Sequence, residues 1–142
     1  REREFPMIKS ILAVIAGFGS MVAVVIVCTV LATALLLGDV EPKPGQVVPM
    51  PYLIVNLTYG LLAALLGGYV CAWLAPRRAG IHVGVLTAVV VLMSLGTILG
   101  EGPAPGQPDW YPLVLGLIGV TGVPLGGVLR MRGIVRARSL DS

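Results

Sequence analysis

Four stretches of the chain contain no Asp, Glu, Lys or Arg: residues 10–37, 52–75, 80–100 and 111–129. A helix rises about 1.5 Å per residue, so each stretch can cross a hydrocarbon core of roughly 30 Å. The expected fold is therefore all-α: a polytopic membrane protein with four transmembrane helices in an antiparallel bundle. Composition agrees. Of 142 residues, 56% are hydrophobic and 12% charged, with a mean hydropathy of +0.94, whereas soluble domains carry roughly a quarter charged residues. The spans occupy most of the length, so residues 1–142 are read as a single membrane domain. Connectors at 38–51 and 101–110 and a basic tail at 130–142 complete it.

The charges lie between the spans and are unequally divided. Arg1, Arg3, Lys9, Arg77, Arg78, Arg130, Arg132, Arg136 and Arg138 fall on one side, and Lys43 alone on the other with Asp39, Glu41, Glu101 and Asp109. Cytoplasmic loops are the ones enriched in Lys and Arg, so both termini are expected in the cytoplasm. The same asymmetry accounts for the basic pI, and nucleic acid is not needed as a partner. Span one could be mistaken for a secretory signal ending at Ala32-Thr33-Ala34. Its apolar run exceeds the roughly 7–15 residues of a signal core, which marks it as a transmembrane helix. The chain begins at Arg1 without a methionine, which leaves open whether residues precede it.

The two outer connectors are proline-rich, with Pro42, Pro44, Pro49 and Pro51 in the first and Pro103, Pro105, Pro108 and Pro112 about the second. Proline stiffens them toward extended forms. The cytoplasmic turn Pro76-Arg77-Arg78-Ala79-Gly80 is so short that spans two and three form an antiparallel hairpin. At an offset of 59 positions, Tyr52, Val55, Gly60, Leu66, Gly67 and Gly68 match Tyr111, Val114, Gly119, Leu125, Gly126 and Gly127. This reads as a weak internal repeat, although spans one and three do not align at the same offset.

Small residues recur at helical spacing: Gly60, Ala64, Gly68 and Ala72 in span two, Gly122 and Gly126 in span four, Gly96 and Gly100 in span three. Small side chains let helix backbones approach closely. The seam serves packing within the bundle, or seats a partner helix on span two or four. Pro124 is expected to bend span four or free a carbonyl.

Ionisable groups inside a bilayer mark function, and the span centres contain none. His82 lies after the basic turn, across the membrane from the outer carboxylates. Three roles are open to it: a bond to nearby backbone, a lipid-headgroup contact with Arg77 and Arg78, or an axial ligand to a haem- or chlorophyll-type ring. No catalytic, metal or cofactor constellation emerges, and no cofactor is expected. Cys28 and Cys71 differ by roughly 20 Å in depth, beyond the reach of a disulfide, and are read as packing residues. Uncharged polar groups gather in the outer half: Thr29, Thr33, Asn56, Thr58, Tyr59, Ser94 and Thr97. They serve interhelical hydrogen bonding or line a pocket centred on Asn56. The sequon at Asn56 lies within a span and is set aside. Trp73 and Trp110-Tyr111 are read as interfacial aromatic residues.

From about residue 60 to 130, the run Gly67-Gly68-Tyr69-Val70-Cys71-Ala72-Trp73-Leu74-Ala75-Pro76-Arg77-Arg78 is followed by His82, then by Trp110-Tyr111-Pro112 and Gly126-Gly127. In this the chain resembles small four-span bacterial membrane proteins of uncharacterised function. The resemblance implies architecture and no activity. The expectation is a non-enzymatic protein of the bacterial inner membrane, an accessory or scaffold subunit of a larger complex. Its partners would be lipids and other subunits or copies of itself. The alternative is a small-solute channel or transporter formed by an oligomer, with a lipid-acting enzyme at Arg77, Arg78 and His82 a distant third.

Overall fold

The computed structural model describes residues 5–37, 47–75 and 78–140, and side chains within 11–37, 47–75, 78–100 and 102–133. Arg77, the connector residues Asp39, Glu41, Pro42, Lys43 and Pro44, and the N-terminal Arg1 and Arg3 lie outside the described residues. Four α-helices follow one another: α1 (Phe5–Leu36), α2 (Met50–Leu74), α3 (Ala79–Gly96) and α4 (Tyr111–Leu140). No strand occurs among the described residues. Four helical stretches of 22 to 26 residues are long and apolar enough to cross a membrane, the third running from Ala79 through the turn after α3 to Gly100.

Proline marks the helix boundaries. Pro51 sits in the first turn of α2, where its missing N–H costs nothing, and the Pro49 carbonyl accepts from the amides of Tyr52 and Leu53. Pro76 disfavours helical geometry at the residue before it, and Ala75 indeed leaves the helix at φ −120°. Beyond α3 the chain winds one looser π-helical turn, Thr97–Glu101, closed by the Gly102 amide on the Thr97 carbonyl at 2.9 Å. Gly102 then takes φ +68°, a left-handed conformation that favours glycine.

One sequence expectation shifts here, and one takes a definite form. The basic segment from residue 130 onward does not leave the helix: α4 continues to Leu140, because its Arg, Met, Leu, Val and Ala residues are compatible with helix and no proline interrupts them. Pro124 does not divide α4, which runs through it as one helix. Its missing amide leaves the Val120 carbonyl without its usual donor.

The helix α2 is central and packs on α1, α3 and α4. Towards the Arg78 end, Ala64, Cys71, Ala72, Ala79, Val83, Leu86, Val90 and Val123 form one core, joined by Val14, Phe18 and Met21 of α1. A smaller core of Ala32, Tyr52 and Tyr59 lies towards the connector end, beside Cys28 and Val48. Both cysteines are free thiols.

The small residues of α2 and α4 make the bundle tight. A Cβ added at Gly68 would collide with the Val123 carbonyl oxygen, and one at Gly126 with that of Leu65. A Cβ at Gly122 would come to 2.7 Å from that of Ala64, and one at Gly60 to 3.2 Å from Leu115 Cδ1. Gly17 and Gly67 meet in the same way between α1 and α2, and Gly119 and Gly127 let α4 close on Val90 and Val83 of α3. Ala72 completes the stripe, fully buried. Gly96 and Gly100 do not belong to this packing, since a Cβ at either would meet nothing within 4 Å.

Candidate functional site

The outer polar residues do not form one cluster. Thr29 and Tyr59 share a hydroxyl–hydroxyl hydrogen bond of 2.7 Å, and Thr33 and Tyr52 one of 3.2 Å. These two bonds lace α1 to α2. Thr58 points elsewhere: it is exposed, and its hydroxyl donates to the Ile54 carbonyl at 2.8 Å. A turn of about 100° per residue separates it from Tyr59, which faces the bundle. Its own helix satisfies it, as it does Thr87 and Thr121, whose hydroxyls donate to the carbonyls of Val83 and Leu117 at 2.8 Å.

Asn56, Tyr59, Ser94 and Thr97 do come together. They line a cavity of about 580 Å³ at the connector end, bounded by all four helices. Its walls are mostly apolar, and the segment from Gly102 to Gln107 passes over it. That segment is held by backbone: the Val48 amide donates to the Gly106 carbonyl at 2.9 Å, and the Gln107 amide to that of Ala104 at 2.9 Å. Gly106 adopts φ +79° to make the turn. The two proline-rich connectors are thus tied together above the cavity.

The residue that sequence reasoning missed is Tyr111. It is 3% exposed and lines this cavity, so it does not stand on the protein surface. Its hydroxyl oxygen is buried and has no hydrogen-bond partner among the described residues. Trp110 and Trp73 do stand on the surface, with the Trp110 ring edge-on to Tyr111 at a centroid distance of 6.1 Å. A signal for Tyr111 was available in the 59-residue offset that pairs it with Tyr52, which is also buried.

At the other end, His82 is 9% exposed and its Nδ1 lies 2.8 Å from the Arg78 carbonyl. A carbonyl only accepts, so the proton is on Nδ1. The ring therefore bonds nearby backbone and presents little surface to a headgroup or a macrocycle. Arg78 is exposed, while its proposed companion Arg77 lies outside the described residues. The Arg130 guanidinium sits over the Tyr69 ring, 5.7 Å from the centroid. Among the described residues no group of three His, Cys, Asp or Glu side chains gathers where a metal could be held.

Comparison of the chain with known protein families, with curated proteins and with solved structures finds no match.

Proposed function

We propose that this chain is a non-enzymatic accessory or scaffold subunit of a larger membrane assembly, held in the bacterial inner membrane. In this reading the bundle is antiparallel with both termini cytoplasmic. The basic bias of the Arg78 side and the contacts of Gly17 with Gly67 and Thr29 with Tyr59 support that arrangement.

The distribution of glycine along the helices carries the proposal. Every glycine of α2, and Gly116, Gly119, Gly122, Gly126 and Gly127 of α4, has a neighbour where its Cβ would stand. Gly80, Gly84 and Gly96 of α3 have none within 4 Å. Each glycine within a helix costs about 1 kcal/mol relative to alanine, and among the described residues nothing packs where a Cβ of those in α3 would stand. Gly80, Gly84 and the exposed Ala88 form a stripe at four-residue spacing that suits close approach of a partner helix. In this reading the partner-binding seam lies on span three instead of span two or four, and the open space beside Gly80 and Gly84 supports it.

The test is native mass spectrometry of the protein released from its own membrane in mild detergent. Defined unrelated subunits should accompany the wild type and be lost from Gly84→Leu, which disturbs nothing inside the bundle. A homo-oligomer alone would overturn the accessory reading. The second reading, a solute channel or transporter formed by an oligomer, draws on the cavity lined by Asn56, Ser94 and Thr97. Asn56→Leu should abolish transport in that case and leave subunit association intact in the first.

A further inference from the structure

The seam between α2 and α4 ends in an aromatic ring and a cation. Leu65 of α2 meets Gly126 of α4, where a Cβ on the glycine would run into the leucine carbonyl. Residues four further along a helix return to the same face, so Tyr69 and Arg130 each stand one turn beyond that contact. There the Arg130 guanidinium lies over the Tyr69 ring, 5.7 Å from its centroid. Tyr69 is exposed on its other side, and Arg130 is half-buried.

Among the described side chains the one carboxylate, Asp109, stands at the connector end, so none of them neutralises Arg130. The described charges that share its end of the bundle, Arg78 and Arg132, are exposed and also positive. Arg130 Nε is enclosed and has no hydrogen-bond partner among the described residues, so it can serve no ligand. The terminal nitrogens at the tip of the side chain are the donors left to meet one. An arginine fork matches a phosphate in two parallel hydrogen bonds, and a ring against its plane leaves the edges to make them.

Depth and surroundings suit a lipid. From Tyr111 to Arg130 the helix rises about 28 Å, close to the roughly 30 Å of a hydrocarbon core. With α4 across a bilayer, the guanidinium comes to the depth at which phosphates begin. On α2, Leu62, Leu66, Tyr69 and Trp73 recur at helical spacing and all are exposed. The two leucines offer an acyl chain apolar surface beside the pair, and Trp73, one turn beyond Tyr69, suits the headgroup level.

We propose that Arg130, steadied by the Tyr69 ring, binds the phosphate of an anionic phospholipid whose acyl chain lies along Leu66 and Leu62. A net negative headgroup is favoured because Arg78 and Arg132 add positive potential at the same end. The headgroup contact in this proposal lies on the seam of α2 and α4 instead of at Arg77, Arg78 and His82. It shares no residue with the stripe on α3, so either can fail while the other stands.

The full chain, released from its own membrane in neutral detergent, is titrated with phosphatidylglycerol and with phosphatidylcholine of the same acyl chains. Bound lipid is counted by native mass spectrometry. Phosphatidylglycerol should be retained about fivefold better. Arg130→Gln should weaken its retention about tenfold, the loss of charge-assisted hydrogen bonds. Arg132→Gln removes the same charge two residues away and should weaken it less than about twofold, as exposed charges do. Tyr69→Leu keeps an apolar side chain, removes the ring and should weaken retention about threefold; should Arg130→Gln fail to fold, this variant decides. Excess inorganic phosphate should leave the lipid bound, because it has no acyl chain to lay on α2. Equal retention of the two lipids, equal losses in Arg130→Gln and Arg132→Gln, or displacement by inorganic phosphate overturns the proposal. So does a protein subunit that leaves with Arg130→Gln while lipid retention is unchanged, which would assign the arginine to a partner's carboxylate.

Discussion

Replacing Gly68 by alanine sets a small gain against a larger loss. The new Cβ would collide with the Val123 carbonyl oxygen, lie 2.8 Å from its carbon and come to 3.1 Å from the Gly127 nitrogen. These are backbone atoms, so no side chain can swing aside, and α2 and α4 must part by about 1 Å. A gap of that size forfeits roughly a quarter to a half of the dispersion at each affected contact. Overpacking itself costs about 1–3 kcal/mol. Alanine returns about 1 kcal/mol of helix propensity. Overpacking less this gain leaves a net loss of about 0–2 kcal/mol before the forfeited dispersion is added, or a melting temperature lower by up to about 8 °C for a chain of this size. Gly84→Ala receives the same propensity gain with nothing within 4 Å to oppose it, and should raise the transition by about 2–4 °C. With the partly buried Cys28 replaced by alanine, a thiol-reactive fluorophore makes a direct assay, since the fully buried Cys71 reacts only once the bundle opens. Equal transitions for the two variants, or a Gly68→Ala protein more stable than the wild type, would refute the backbone-contact argument.

Two further perturbations test the connector end. In a double-mutant cycle, Tyr59→Phe and Thr29→Val should couple by about 0.5–1.5 kcal/mol in a denaturing-detergent titration, as polar pairs between membrane helices do; zero coupling would show that the bond adds nothing. Gly106→Ala forces a side chain into φ +79° at a cost of about 1–2 kcal/mol. It should speed hydrogen exchange at the Val48 amide, which bonds the Gly106 carbonyl, and leave the amides around Leu86 protected.

The four apolar stretches were legible because a bilayer tolerates no charge and no unpaired backbone across its thickness. The tight approach of α2 and α4 could be read from Gly60, Ala64, Gly68, Gly122 and Gly126, whose spacing repeats with the helix. Spacing alone could not tell which glycines meet a neighbour. Gly96 and Gly100 repeat at the same interval and meet nothing, because a four-residue stripe defines a face without saying what it faces. Tyr111 and Trp110 illustrate the same limit. Both are aromatic residues at a helix start, where interfacial anchoring is the usual role. Their directions differ by about 100°, enough to send one inward to 3% exposure and leave the other at 43%. Thr58 and Tyr59 part in the same way. Composition gives depth along the membrane normal well and direction around a helix poorly, because lipid and protein interior are both apolar.

The contact of α2 with α4 also bears on how the protein is made. The ribosome completes α1 to α3 before it reaches Tyr111, so the glycine face of α2 awaits a helix that has not yet been synthesised. Until then Gly68 and Ala64 lack the helix they pack on, and α2 is held by α1 and α3 alone. Arrival of the fourth helix is the step that commits the bundle.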